Sequence, residues 1–226
     1  MPAETTSKKS IFTRNKEIPV SFYLFAMRSN HNDKVENFKL FISNIENKFD
    51  LDINELSERY ESYVEYLSNH ECINEINDDF GEQYSEIVYQ VNNIFRRSLI
   101  VSIHSYLEST LGDLTKKILN KNGMKLSKKP SGSSTLKHYK DTLKNKANVD
   151  FSSASKAWDF INNANTIRNA IVHGNGIASE KIEEIEKSTT GISIKDREIV
   201  IEKDYLTELL SCVDDFLLHS MNETFK

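Results

Sequence analysis

The chain has 226 residues, of which 38% are hydrophobic and 28% charged, with a formal net charge of −5. That length fits one large domain, or one domain with additions, and gives a core large enough to hold without disulfide or metal staples. Seven glycines and three prolines are few, which argues against an all-β fold with many tight turns. No apolar run approaches the roughly 20 residues of a bilayer span. Cys72 and Cys212 form no C-x-x-C pair and read as two thiols in a reducing compartment, not as metal ligands or a redox couple.

In chain order, residues 1–32 read as a loose or extended N-terminal arm. Within it Ile18–Met27 is apolar and follows Lys8, Lys9, Arg14 and Lys16, but Arg28-Ser-Asn-His stands where a signal peptide would carry its small-residue cleavage site. A cytoplasmic protein is expected. Residues 33–83 read as N-terminal helices, one near Asp33–Lys48 and one near Asn54–Ser68, followed by an acidic connection over Glu71–Gln83. A long helix over Tyr84–Asn120 carries Phe95, Leu99, Ile103, Tyr106, Leu107, Leu111, Leu114 and Ile118 at the three-and-four spacing of a wide buried face.

Lys-Lys-Pro-Ser-Gly-Ser-Ser marks a loop over Lys125–Ser134, and a short basic helix follows to Lys146. The next helix opens at Ser152 or Ser153, buries Ala157, Ile161, Ala164, Ile167 and Ile171, and stops at Gly174-Asn175-Gly176. A small acidic helix near Ser179–Lys187 precedes a β-hairpin of Ile192–Ile194 and Ile199–Ile201. Asp204 can cap a last helix with Leu206, Leu209, Leu210, Val213, Phe216 and Leu217 on one side. The fold class is all-α: a helical bundle with a small β-hairpin near the C-terminus.

Charge is unevenly spread. Between Lys116 and Lys146 ten lysines face a single acid, Asp141, while the rest of the chain is strongly acidic. Lys116, Lys117, Lys121, Lys125, Lys128, Lys129, Lys137 and Lys140 are the candidates for contact with a polyanion such as RNA, against the plainer reading of a solvated loop between helices.

The segment that can carry chemistry is Ile167-Arg168-Asn169-Ala170-Ile171-Val172-His173-Gly174. Relative to Ala164, Arg168 falls about 40° around the helix, at the edge of the apolar stripe. A guanidinium there calls for something anionic, because burying it unpaired costs several kcal/mol, on the order of ~5. Asn169 and His173 share a face, so the amide could orient the imidazole. His173 sits in the last turn, where the helix terminus favours the imidazolium. An imidazole that moves a proton beside a guanidinium that balances phosphate charge suits phosphodiester chemistry. The plainer reading is a C-capping histidine and a surface arginine. Arg97, His104 and Glu108 lie within about 40° on the long helix, and Arg96 falls on its apolar side as one member of a buried ion pair.

Arg168-Asn169-x-x-x-His173, on a helix ending in glycine within an all-α chain, resembles the signature of the HEPN superfamily: arginine, a polar residue, then histidine after four to six intervening positions. Ser102-Ile-His-Ser-Tyr-Leu-Glu108 is similar to that family's helix bearing an acidic residue ahead of the motif. The resemblance covers roughly residues 84–220, within a HEPN-like helical domain over residues 84–226. It implies a metal-independent endoribonuclease, without cofactor, in which the motifs of two chains meet across a dimer axis. His173 would be base or acid, Arg168 would stabilise the phosphorane, Glu108 would orient one of them, and Asn169 would support the pair. It further implies a toxin or phage-defence effector, with an antitoxin or other defence-system protein as a possible partner and no membrane. The other class left open is a non-catalytic HEPN-like module serving as a scaffold or RNA- or nucleotide-binding partner.

Overall fold

The computed structural model describes residues 20–67 and 73–224. Its elements are α1 (Val20–Leu67), α2 (Ile73–Ser85), a π-helical stretch (Glu86–Val91), α3 (Asn92–Lys121), α4 (Thr135–Ala147), α5 (Ser155–Gly174), α6 (Glu180–Ser188), β1 (Ile192–Lys195), β2 (Glu198–Ile201) and α7 (Lys203–Thr224). The fold is all-α with one two-stranded antiparallel hairpin. No helix among the described residues is long and apolar enough to cross a membrane.

The core forms where the apolar stripes of α3, α5 and α7 converge. Leu99, Ile103, Leu107, Leu111 and Leu114 of α3, Ile161, Ala164 and Ile167 of α5, and Leu206, Leu209, Leu210, Val213, Phe216 and Leu217 of α7 are all buried. Leu136 and Leu143 bring α4 onto this core. Ser134 caps α4 by accepting from Lys137 N at 3.2 Å. Ser152 instead bonds the carboxylate of Asp150, so α5 opens three residues later, at Ser155. Asp204 lies inside the first turn of α7, where its charge favours the helix N-terminus, and is not its cap. Cys212 is a free buried thiol whose pKa burial pushes up to about 12; Cys72 lies outside the described residues.

Two expectations for the N-terminal third are corrected. Residues 20–32, expected in an extended arm, are the first turns of α1. The two helices expected on either side of Asp50 are one helix of 48 residues, about 72 Å long at 1.5 Å per residue. Its continuity follows from a seven-residue repeat: Val35, Ile42, Phe49 and Leu56 are all buried and lie on one seam. The connection expected over Glu71–Gln83 is helical from Ile73, held by Phe80 stacking on Tyr60 with ring centroids 4.3 Å apart and by Tyr60 donating to Asn77. Residues 1–19 of the expected arm lie outside the described residues.

α1 runs antiparallel to α3. Tyr23 lies under Lys117, buried His31 bonds Tyr106 of α3 and Asp214 of α7, and Phe49 meets Phe95 near the start of α3. Between these contacts Arg96 donates twice to the carboxylate of Glu46 (2.8 and 2.6 Å) and once to Ile201 O at 3.1 Å, with Glu46 side chain only 4% exposed. This is the ion pair foreseen for Arg96.

Removing one partner of such a pair leaves a desolvated charge. Glu46→Ala is expected to lower the unfolding free energy by about 3 kcal/mol, near the low end for buried pairs because Arg96 keeps Ile201 O. Glu36→Ala, which breaks the exposed pair with Lys39, is expected to cost less than about 1 kcal/mol in the same denaturant titration.

Candidate functional site

The end of α5 is fixed by backbone geometry. Asn175 takes the left-handed conformation (φ 53°) as the C-cap, and Gly176 (φ 75°) follows, its N–H returning to Ala170 O. Glycine is required at 176 on two counts. Its φ is in the left-handed region, and a Cβ there would stand 2.7 Å from the guanidinium of Arg97. Gly174 is the last helical residue, and Gly176, just past the Asn175 cap, is the glycine expected beyond the last turn.

The chain then pairs with the hairpin. Ile199 N donates to Gly176 O and Ala178 N to Arg197 O, while Asn93, Arg96 and Arg97 of α3 occupy the remaining carbonyls and the Ile201 N–H on that side of β2. Arg97 therefore anchors the hairpin, bonding Ile199 O and Glu198, and takes no part in the cleft beside His104 and Glu108.

Arg168 projects from α5 into an open cleft of about 250 Å³ between α3, α4 and α5, lined by His104, Ser105, Glu108, Ser109, Gly112, Asp113, Lys116, Tyr139 and Arg168. Gly112 makes room for Tyr139: a Cβ would lie 3.0 Å from the tyrosine ring. Arg168 and Glu108, both expected in the site, share this cleft. Among the described residues no carboxylate lies within 4.0 Å of Arg168, so none of them supplies the anion its position calls for. Its only side-chain partner among the described residues is Asn169 Oδ1 at 3.1 Å, and its Nε is buried without a partner among them.

Asn169 thus pairs with Arg168 and does not orient His173, because the amide turns back along the helix toward its neighbour. His173 is exposed, makes no hydrogen bond among the described residues, and does not line the cleft. The 500° of helix between the two motif residues carries their side chains about 140° apart. Glu108 likewise makes no ion pair with Arg168 or His173 within one chain.

The cleft wall also contains a pair, His104 and Asn165, to which sequence reasoning assigned no role. His104, 6% exposed, donates from Nε2 to Asn165 Oδ1 of α5 at 2.8 Å, while its Nδ1 is buried without a partner. Burial lowers its pKa below the ordinary histidine value; the Asn165 bond opposes this, the charge of Arg168 adds to it, and Glu108 opposes it. A neutral imidazole therefore lies behind Arg168. Helical offset placed His104 on a polar ridge, and nothing in one sequence reports the register between α3 and α5 that buries it.

The lysines divide. Lys116 lines the cleft beside Arg168 and has Asp113 at 4.0 Å. Lys121, Lys125, Lys128, Lys129 and Lys137 are exposed, with Lys129 bonding Ser133 O. Lys117 and Lys140 are engaged instead with rings: Lys117 over Tyr23, and Lys140 over Trp158 at 4.3 Å, where burial lowers its pKa. Among the described residues no group of three or more His, Cys, Asp and Glu side chains is placed to hold a metal ion.

Compared with known proteins, the chain matches no family model, no curated protein and no solved structure.

Two outcomes follow from this geometry. Because the folded pKa of His104 is depressed, the unfolded chain takes up its proton first as pH falls. Stability is therefore expected to decline below about pH 6.5, toward the lower folded value, and His104→Gln is expected to flatten that decline in pH-dependent denaturant titrations. Gly176→Ala is expected to cost more than about 1 kcal/mol, read as a lowered denaturation midpoint, since it combines backbone strain with a clash at Arg97.

Proposed function

We propose that this chain is a HEPN-type, metal-independent endoribonuclease acting as a toxin or phage-defence effector. The observation that carries the reading is the guanidinium of Arg168: a partly buried cation, its Nε unpartnered, open to a cleft whose carboxylates, Glu108 and Asp113, make no ion pair with it. A phosphodiester supplies the missing charge and fits the fork of donors. The motif spacing and the Glu108-bearing helix are the further support.

The reading assigns the reaction as follows. An imidazole of His173 takes the proton of the RNA 2′-hydroxyl, the 2′-oxygen forms a bond to phosphorus, and the bond from phosphorus to the 5′-oxygen breaks. A second His173 returns a proton to that leaving oxygen, and Arg168 balances charge on the phosphorane. The products are a 2′,3′-cyclic phosphate and a 5′-hydroxyl. One chain holds Arg168 and His173 apart, so the site is composite, with a second copy bringing its own motif across a two-fold axis. Val172 (45% exposed) and Ile177 (39% exposed) flank His173 and suit such a contact. Lys116, Lys121, Lys125, Lys128, Lys129 and Lys137 guide the RNA backbone toward the cleft; Lys117 and Lys140 are set aside for their aromatic contacts. A defence-system or antitoxin protein is the further partner this reading expects.

That His173 lies outside the cleft of Arg168 is the observation favouring the other reading, a non-catalytic module that binds RNA or a nucleotide. Purified protein incubated with a mixed RNA pool in EDTA separates the two. Cleavage leaving cyclic phosphate ends is expected, and Arg168→Ala and His173→Ala are each expected to lower its rate by about 10²–10⁴. RNA binding without cleavage, in a folded wild-type dimer, would favour the module.

A further inference from the structure

Charge in this molecule is sorted by position along its long axis. Beyond Phe49, α1 runs on for 18 residues beside α2 and the π-helical stretch, forming an arm at the N-terminal end of α3. From Asp50 to Glu86 the sequence holds twelve acids and one base, Arg59. Among the described carboxylates of this arm only Asp52 meets a cation within 4.0 Å, that of Lys48. The arm is also poorly covered: α2 has no buried residue, and Leu51, Tyr63 and Tyr66 are 63%, 57% and 83% exposed. At the other end of α3 lie the ten lysines of Lys116–Lys146, with Tyr139 against Gly112 and Lys146 on the carbonyl of Lys125 holding that segment in place. Among the described residues, Lys116 alone of these lysines has a carboxylate within 4.0 Å.

The two fields cannot neutralise each other within one chain. α3 has 30 residues and so separates them by about 45 Å, several times the ~8 Å screening length at physiological salt. Two copies laid antiparallel along α3 bring each acidic arm to the lysine segment of the other, with the charges nearly balanced. The outward ridge of α3 at Ser98, Ser102, Ser105 and Ser109 is exposed and small, which allows close approach at the axis.

We propose that the acidic arm, Asp50–Glu86, docks on the Lys116–Lys146 segment of a second copy of this chain, in an antiparallel, salt-sensitive dimer. The contact is isologous, so each dimer contains it twice. This inference does not rest on the chemistry at Arg168 or His173, and it gives the exposed lysines an occupant, the partner's arm, that an RNA backbone would have to displace.

Charge exchange tests it. One variant carries Glu58→Lys, Glu61→Lys and Glu65→Lys, and the other carries Lys125→Glu, Lys128→Glu and Lys129→Glu; all six residues are exposed. Circular dichroism and a denaturant midpoint verify that each variant keeps its fold. Sedimentation equilibrium is then run at about 0.05 M and about 0.5 M salt, on either side of physiological screening. The wild type is expected to self-associate more tightly at low salt, and each variant alone to be weaker by about tenfold or more. Mixing the two variants is expected to restore wild-type affinity, because a heterodimer makes both contacts attractive. Folded variants that associate like the wild type, or a mixture that stays as weak as its components, would overturn the proposal. So would a wild type that is monomeric at both salts, and binding of polylysine to the arm of that monomer would then point to a foreign basic partner.

Discussion

A two-stranded hairpin has a free edge on each side, and the way this protein fills one of them sets much else. Ile199 and Ile201 of β2 direct their peptide groups away from β1, where a buried N–H or C=O without a partner would be costly. Three residues from one turn of α3 meet that need. Asn93 bonds both Ile199 O and Ile201 N, Arg96 takes Ile201 O, and Arg97 takes Ile199 O. The same arginines reach further: Arg96 binds Glu46 of α1, and Arg97 occupies the space over Gly176 at the end of α5. One turn of helix thereby registers four parts of the chain at once. The position of His173 at the close of α5 depends on that register, since Gly176 and Ala178 are bonded to the hairpin.

The pattern of apolar spacing explains which parts of the fold were readable in advance. The stripes of α3, α5 and α7 and the isoleucine alternation of the hairpin are local, strong and uninterrupted, so each element follows from its own residues. α1 was read as two helices, one ending near Lys48 and one starting near Asn54. The signal that joins it was present: Val35, Ile42, Phe49 and Leu56 recur every seven residues across the apparent break, a period that only a continuous helix against one partner would use. Ile73, Ile76 and Phe80 gave a similar hint for α2, outweighed by Asp78, Asp79 and Gly81.

The site was legible in part for the same reason. Arg168 was marked by its angle at the edge of a stripe, a property of α5 alone, and among the described residues it makes no ion pair. The partnership of Asn169 with Arg168, the lack of an ion pair between Glu108 and either motif residue, and the burial of His104 on Asn165 all depend on how neighbouring side chains and helices are set against each other. Two of the eight candidate lysines turned out to be held by aromatic rings, which charge counting has no means of detecting.

One of those two has a use of its own. Trp158 is the chain's single tryptophan, and the ammonium of Lys140 stands over its indole while Phe216 packs beside it. A cation at that distance perturbs the excited state of the ring, so the emission of the native protein encodes whether Lys140 remains seated. Any ligand that draws the lysine segment outward will change the colour or yield of that emission without a label, making the protein its own optical gauge of occupancy at its basic end.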